Sequence, residues 1–129
     1  MRALIRYMTP LHLDIDAALF VQGAPASGIY LVRDGRLDVC VRGESGREVR
    51  VRQVGAGSIL GEVSTYLDRT ASASVVALEA SALLHLSRES LAAMLADDPK
   101  LASLFHERMA TLLARRLVDN GHQIHRLSS

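Results

Sequence analysis

The sequence predicts a mainly β fold with terminal helices (α+β), in which the strands form an antiparallel sandwich or barrel. Up to about residue 87, short apolar runs alternate with turn signals at close spacing, which is typical of antiparallel sheets. After residue 87, glycine and proline become rare and helix-forming residues dominate. The chain has 129 residues, 49% of them hydrophobic, which is enough for one domain with its own core. We therefore expect one domain over residues 1–129, with a first helix and the strands in 1–87 and further helices in 88–129.

Turn signals and alternation divide the first part into elements. A short helix is predicted over residues 1–8, and Pro10 is expected to end it. Leu37, Val39 and Val41 alternate with polar residues, which is the period of a half-buried strand. Turns that contain glycine, such as Asp34-Gly35 and Gly43–Gly46, separate the other predicted strands. These strands are predicted at 19–21, 29–32, 49–53, 72–77 and 83–86.

Two helices are predicted after the strands. Ser87 suits the N-cap of a helix over 89–96, and Pro99 suits the first turn of a second helix. The second helix is expected to end near Asp119, because Gly121 is a typical stop signal. One face of this helix carries an apolar stripe, which consists of Leu101, Phe105, Met109, Leu113 and Leu117 and is widened by Leu104 and Leu112. The stripe could pack on the β part or form a dimer contact.

Composition argues against several classes of function. A net charge of +1 and 4% aromatic residues without tryptophan do not fit a nucleic-acid-binding surface. The only cysteine, Cys40, cannot close an intrachain disulfide, which fits a reducing compartment. No apolar run approaches the roughly 20 residues of a membrane span, and the first residues do not form a signal peptide. We expect a cytoplasmic location, as a free protein or as the cytoplasmic portion of a membrane protein.

Catalytic and metal sites are not predicted. The five histidines are spread along the chain, and His122 and His125 alone do not make a zinc site. His85 alternates with leucines, so we expect it to face outward from a strand, and Cys40 is expected to be a packed or surface thiol. No Ser/His/Asp or Cys/His arrangement with a catalytic context is found, so the chain is expected not to be an enzyme.

The segment from Gly61 to Ser74 carries the most informative chemistry. Gly61 permits a close approach of the backbone, and a short helix is expected to begin after it, with N–H groups that favour an anion. Glu62 can accept hydrogen bonds from hydroxyl groups such as a ribose 2′-OH, and Arg69 supplies a cation nearby. These residue types suit a sugar phosphate. An ordinary turn, with Glu62 as a favourable charge at a helix start, is the alternative that the residues alone leave open.

The chain as a whole resembles the cyclic-nucleotide-binding domain family. The resemblance rests on the residues at 19–23, 29–35 and 57–76 and on the helices that follow. It looks closest to versions attached to bacterial sulfate and other anion transporters and to stand-alone bacterial proteins. The resemblance implies a β-roll, or double-stranded β-helix (jelly roll), of about eight antiparallel strands with helices at both ends.

The resemblance also implies a ligand, cyclic AMP or cyclic GMP, and a phosphate-binding cassette. Gly61, Val63 and Ser64 are expected to offer backbone N–H groups to the cyclic phosphate, while Glu62 holds the ribose hydroxyl. In the family, an arginine in a Pro-Arg-Ser/Thr-Ala run pairs with the phosphate, and the small or hydroxyl residues after it touch the phosphate or the base. No cofactor and no metal are expected.

The chain departs from the family pattern at that arginine. In an alignment without gaps, Ala71 takes the arginine position, Thr70 the preceding proline and Ser72 the following residue. A shift of two residues makes Arg69 the family arginine instead, and such a shift preserves the parity of the strand. A charge-assisted contact of this kind contributes about 1.5–3 kcal/mol, or roughly ten- to a hundredfold in affinity. An alanine at this position therefore predicts weak or absent nucleotide binding.

Two functions follow from these observations. The first is a ligand-sensing regulatory domain that passes binding through its C-terminal helix to an attached or partner protein. The alternative is a degenerate module that binds no nucleotide and serves as an interaction or structural domain, for example on an anion transporter. The expected partners are a cyclic nucleotide, an attached transporter or effector domain, and a second copy through the 99–119 helix. We expect no DNA-binding domain in this chain, because a helix-turn-helix would have to follow the long helix.

Overall fold

The computed structural model describes residues 2–25, 27–67 and 69–128. For residues 2, 3, 117 and 119–128 only the backbone is described. The described residues form four helices: α1 (Arg2–Ile5), α2 (Glu62–Tyr66), α3 (Arg88–Asp97) and α4 (Pro99–Ser128). They also form eight strands: β1 (Thr9–Leu13), β2 (Ala18–Phe20), β3 (Gly28–Asp34), β4 (Leu37–Arg42), β5 (Glu48–Val54), β6 (Ile59–Leu60), β7 (Ser74–Ala77) and β8 (Ser81–Ser87).

The strands form two four-stranded sheets. The first has the order β1-β8-β3-β6 and the second the order β2-β7-β4-β5. Every strand pair within the described residues is antiparallel. The predicted fold class, an antiparallel β-roll of about eight strands with terminal helices, is confirmed.

The hydrophobic core joins the inner faces of both sheets. Val32 pairs with Leu83 in the first sheet, and Leu37 pairs with Ala77 in the second. All four residues are almost completely buried and belong to one cluster. Burying a valine or leucine side chain stabilises a fold by about 1.5–3 kcal/mol, so this cluster holds the two sheets together. The predicted inward alternation of β4 is confirmed, because Leu37 and Val39 are buried and Val41 packs against them.

The first helix and the first strand differ from the prediction. The helix predicted over residues 1–8 ends at Ile5, and Pro10 lies within β1 instead of ending a helix. A proline, which has no N–H to donate, is tolerated here because β1 is the edge strand of its sheet. Proline is compatible with both positions, so the sequence alone did not reveal β1.

His85 does not face outward, so that prediction was wrong. His85 lies directly opposite Tyr30 in the β3–β8 pair, on the same face as the core residues Val32 and Leu83. The alternation with leucines was misleading because β8 is buried on both faces. Leu83 packs in the core, while Leu84 and Leu86 are buried on the other face.

Strand β5 is exposed along most of its length. It is an edge strand with a register shift opposite Val39 and Cys40, and Val49 and Val51 are 56% and 58% exposed. Every residue from 48 to 53 is exposed, so the half-buried alternation expected at 49–53 was wrong: neither face of this edge strand is covered there. The hairpin predicted at Gly43–Gly46 is confirmed by the pairing of β4 with β5.

The helices after β8 begin as predicted. The Ser90 N–H donates a hydrogen bond of 3.0 Å to the Ser87 hydroxyl, which makes Ser87 the expected N-cap of α3. Helix α4 begins at Pro99 but continues past Gly121, so its predicted end near Asp119 was wrong. A single glycine costs a helix interior only about 1 kcal/mol relative to alanine, which the helix-forming neighbours can offset.

The chain divides into two compact units, Met1–Leu91 and Ala92–Ser129. The first unit contains both sheets, and the second contains α4 and most of α3. Within α4, Phe105 and Met109 of the predicted stripe are buried, whereas Leu104 is exposed. The side chains of Leu117, His122 and His125 lie outside the described residues. No helix in the described part of the chain is both long enough and apolar enough to cross a membrane.

Candidate ligand pocket around Gly61

Gly61 joins β6 to α2 in a conformation that favours glycine. Its φ of +81° lies in the left-handed region, which L side chains rarely adopt. A Cβ atom at this position would lie only 2.6 Å from the carbonyl oxygen of Gly28. The absence of a side chain therefore allows the start of α2 to approach β3.

The start of α2 is fixed against β3. The hydroxyl of Thr65 donates a hydrogen bond of 2.9 Å to the Gly28 carbonyl oxygen. The first N–H of the helical ladder is that of Thr65, which donates to the Gly61 carbonyl oxygen at 3.1 Å. The N–H groups of residues 62–64 therefore precede the ladder. Glu62 and Ser64 are buried, whereas Val63 is exposed, and Glu62, only 2% exposed, already has an interaction within the protein.

The segment after α2 is held against the loop that precedes β3. The Ala71 N–H donates to the Ala24 carbonyl oxygen at 2.8 Å, and the Gly23 N–H donates to the Ala71 carbonyl oxygen at 2.9 Å. Thr70 forms an isolated antiparallel bridge with Pro25. These contacts bury Ala71 and fix its position before β7 begins at Ser74.

A pocket of about 240 Å³, including space open to solvent, lies between these segments. Three of the predicted site residues line it: Gly61, Ser64 and Ala71. Glu62 follows Gly61 directly in the chain. The structure does not place Val63, Arg69, Thr70 or Ser72 in the lining, and all four are exposed.

One wall of this pocket consists of residues that the sequence analysis did not identify. The hydroxyl groups of Ser27 and Tyr30 are 2.6 Å apart, and both residues line the pocket. The His85 ring stacks on the Tyr30 ring with a centroid distance of 4.4 Å and an interplanar angle of 7°. His85 Nε2 lies 2.9 Å from the Ser27 carbonyl oxygen, to which it donates its proton. Phe20 completes the wall, 5.9 Å from Tyr30 between ring centroids.

Sequence signals for this wall were weak. Phe20 and Tyr30 belong to a small set of aromatic residues, two phenylalanines and three tyrosines in the whole chain. That scarcity marks them as unusual, but their contact with Gly61 and Ser64 depends on how β3 pairs with β6 and β8. The register of these strands is not readable from one sequence.

Two further observations concern the residue types that bind metals and the Cys40 thiol. Among the residues that the structure describes, no group of three or more His, Cys, Asp or Glu side chains could hold a metal ion. Burial and the nearby carboxylates of Asp38 and Glu48 raise the pKa of the half-buried Cys40 thiol. A raised thiol pKa lowers the fraction of the nucleophilic thiolate at neutral pH.

Comparison with known proteins identifies the family of this chain. The model of the cyclic nucleotide-binding domain matches residues 10–98, which include all the residues of the pocket. The chain belongs to the cyclic-nucleotide-binding domain family. Its β-roll is that of a regulatory cyclic-nucleotide-binding domain.

The relatives that this cyclic-nucleotide-binding domain matches are longer than the domain itself. It is 34% identical over 110 residues to the cyclic AMP receptor protein of Thermus thermophilus, covering 85% of this chain and 49% of the relative. It is 32% identical over 127 residues to glutaminase 2 of Bradyrhizobium diazoefficiens, covering 98% of this chain but only 20% of the relative. The crystal structure of the Thermus thermophilus catabolite activator protein matches with a TM-score of 0.86 and 30% identity, over 98% of this chain and 58% of that chain. The domain thus spans about half of the receptor protein and a fifth of the glutaminase.

Proposed function

We propose that this domain is a ligand sensor that binds a cyclic nucleotide in the pocket around Gly61 and passes the signal to an attached or partner protein. The observation that carries the proposal is the pocket itself. Gly61 and Ser64 come from the start of α2, and Ala71 comes from the segment that follows it, yet all three line one cavity. The two halves of the family's cassette therefore meet at one place.

The first half of the cassette has the chemistry for a sugar phosphate. The N–H groups at the start of α2 precede the helical ladder, so those of Val63 and Ser64 are suited to phosphate oxygens. Gly61 permits the ligand to approach the backbone closely. The Glu62 carboxylate is of the chemical type that accepts a hydrogen bond from a ribose hydroxyl.

The second half lacks the family's cation. Ala71 lines the pocket and is buried, whereas Arg69 is exposed and is not part of the lining. This supports the alignment without gaps, in which Ala71 stands at the arginine position. Thr70 and Ser72 are exposed, and neither lines the pocket. We therefore expect this domain to bind a cyclic nucleotide roughly ten- to a hundredfold more weakly than a domain that retains the arginine.

A route for the signal leads from the pocket wall to α3. Tyr30 stacks on His85 of β8, and β8 ends at Ser87, which caps the first turn of α3. A ligand that displaces Tyr30 would therefore act on the strand that leads into the helices. Such a ligand would shift the population of helix positions, and this shift is the signal.

The second candidate function is the degenerate module, which Ala71 in the pocket also favours. Such a module would serve as an interaction or structural domain in a longer cytoplasmic protein, with no catalysis of its own. The likeness to a fifth of a glutaminase supports attachment to an enzyme as an alternative to the expected transporter. Pairing with a second copy through residues 99–119 is compatible with either function.

Isothermal titration calorimetry with cyclic AMP and cyclic GMP distinguishes the two functions. We expect measurable binding by the wild-type domain and its loss in Glu62→Gln, because the variant removes the carboxylate but keeps the shape of the side chain. Glu44→Gln, in the exposed β4–β5 hairpin, is the matched control and should bind like the wild type. Circular dichroism should confirm that each variant is folded. No heat of binding at millimolar concentrations of either nucleotide would reject the sensor and support the degenerate module.

A further inference from the structure

A second cavity lies between the segment that follows β2 and the β4–β5 hairpin. Its lining includes Gln22, Arg42 and Ser74, and we call it the Arg42 cavity. No described residue lines both this cavity and the pocket around Gly61. Arg42 and Ser74 alternate along their strands with residues that pack in the core, so their side chains lie on the outer face of the second sheet. The Arg42 cavity is therefore separate from the proposed nucleotide site.

The Arg42 cavity is large enough for a small organic molecule. Its volume is about 380 Å³, within the roughly 300–1,000 Å³ that is usual for ligand pockets. A free amino acid occupies only part of such a volume.

Hydrogen bonds fix one side of the Arg42 cavity. The Gln22 side-chain oxygen accepts a hydrogen bond of 2.7 Å from the Arg42 N–H, and the Gln22 amide nitrogen donates one of 3.3 Å to the Arg42 carbonyl oxygen. The backbone N–H of Gln22 donates to the Ser74 hydroxyl at 2.9 Å. The segment after β2 is thus attached to β4 and β7, and such preorganisation lowers the entropic cost of binding a ligand.

Two opposite charges line the Arg42 cavity. Arg42 and Glu48 both belong to its lining, and they lie directly opposite each other in the β4–β5 pair. Residues in this relation have their side chains on the same face of a sheet. No salt bridge joins these two described residues to each other. A ligand can therefore contact both charges.

A zwitterion fits this pair better than a simple ion. The guanidinium fork of Arg42 suits a carboxylate, and the Glu48 carboxylate accepts hydrogen bonds from an ammonium group. A simple anion would be repelled by Glu48, and a simple cation would be repelled by Arg42. The Ser74 hydroxyl accepts the Gln22 N–H and keeps its own proton, which it can donate to a ligand carboxylate.

The same cavity offers an apolar surface. Val21 belongs to its lining and is 56% exposed. An apolar side chain on the ligand would cover this valine and remove apolar surface from water. The lining thus combines contacts for a carboxylate, an ammonium group and an apolar side chain.

We propose that the Arg42 cavity binds a free α-amino acid with an apolar side chain, with Arg42 holding its carboxylate and Glu48 its ammonium group. The inference goes beyond the proposed function, because it assigns a separate site and does not depend on nucleotide binding. Arg42 and Glu48 are both exposed, so solvent screens each contact and a dissociation constant in the millimolar range is expected.

An NMR titration with L-leucine tests the site, because it detects weak binding. The backbone amides of Gly23 and Gly43, which line the Arg42 cavity, are expected to shift in a saturable way. N-acetyl-L-leucine lacks the ammonium group and L-leucinamide lacks the carboxylate, so each is expected to bind about fivefold more weakly. Equal binding of either derivative, or tighter binding of phosphoethanolamine, would overturn the proposed ligand class. The absence of saturable shifts at both glycines would overturn the site itself.

Arg42→Gln and Glu48→Gln test the two charges. Each variant removes one charge and leaves the backbone groups that Gln22 contacts, so L-leucine is expected to bind about fivefold more weakly. Arg33→Gln is the matched control, because Arg33 is an exposed arginine of β3 that does not line the cavity, and it should bind like the wild type. Circular dichroism should confirm folding. An unchanged affinity in folded Arg42→Gln or Glu48→Gln would overturn the assigned charge pair.

Discussion

At the scale of single residues, two glycines allow the cost of backbone strain to be separated from the cost of a steric clash. Gly57 and Gly61 have similar positive φ angles, +89° and +81°. A Cβ atom at Gly57 would meet nothing within 4 Å, whereas one at Gly61 would lie 2.6 Å from the Gly28 carbonyl oxygen. The free space around the two residues is thus the main difference between them.

Alanine substitutions at these two glycines should therefore have unequal effects. Gly57→Ala is expected to lower the free energy of unfolding by about 1–2 kcal/mol, which is the usual cost of placing an L residue in the left-handed backbone region. Gly61→Ala is expected to lower it further, because the backbone of β3 must also move. Urea unfolding of both variants measures the difference. Equal losses would show that β3 does not confine Gly61.

Tyr66 gives a second test at this scale, through its pKa. Burial raises the pKa of Tyr66 to about 12, because the phenolate is less well solvated in the fold than in water. The stability that this shift provides is present below the unfolded pKa of about 10 and is lost as the pH rises from about 10 towards 12.

Ultraviolet absorbance of the phenolate tests this shift between about pH 9 and pH 11. While the protein stays folded by circular dichroism, the wild type and Tyr66→Phe are expected to give the same increase in phenolate. One additional titrating tyrosine in the wild type over this range would contradict a buried Tyr66.

The residues of the pocket were predictable to different degrees. Gly61 and Ala71 could be expected at the site because both lie in the segment 57–76 that carries the family resemblance. Tyr30 and His85 could not, since their stacking depends on the register of β3 against β8. An error of one residue in that register would have placed His85 on the opposite face.

At the scale of elements, local signals were reliable where one short-range contact defines a boundary. The cap of α3 and the β4–β5 hairpin depend on residues only a few positions apart, and both were predicted. Strand β1 and the end of α4 were not predicted correctly. Pro10 is compatible with a helix end and with an edge strand, and Gly121 is compatible with a helix end and with a helix interior. In these two cases the outcome depends on the whole fold.

The cap of α3 leads to a prediction about stability. Ser87→Ala removes the acceptor of the Ser90 N–H and is expected to lower the free energy of unfolding by about 1 kcal/mol. Ser103→Ala replaces an exposed serine inside α4 and is expected to be neutral or slightly stabilising, because alanine is the better helix former. Urea unfolding measures both variants, and equal stabilities would contradict the capping role.

At the scale of the whole molecule, the fold and the proposed ligand site depend on different numbers of residues. Both sheets, the Gly61 turn and the buried Glu62 fit the family, yet the position expected to hold the phosphate is occupied by Ala71. The fold depends on many core residues, so a single substitution at the pocket can leave it intact. Ligand binding depends on a few residues, and one substitution can abolish it or change its specificity.

The most direct test restores the missing cation. Ala71→Arg places a guanidinium at the edge of the pocket, where a charge-assisted contact with the cyclic phosphate is expected to raise the affinity for cyclic AMP roughly ten- to a hundredfold. Calorimetry on the wild type, Ala71→Arg and Arg69→Ala measures this, with circular dichroism to confirm folding. The predicted result is a large gain for Ala71→Arg and little change for Arg69→Ala. An unchanged affinity in folded Ala71→Arg, together with lost binding in Arg69→Ala, would show that Arg69 already pairs with the phosphate and that position 71 is not the altered half of the site.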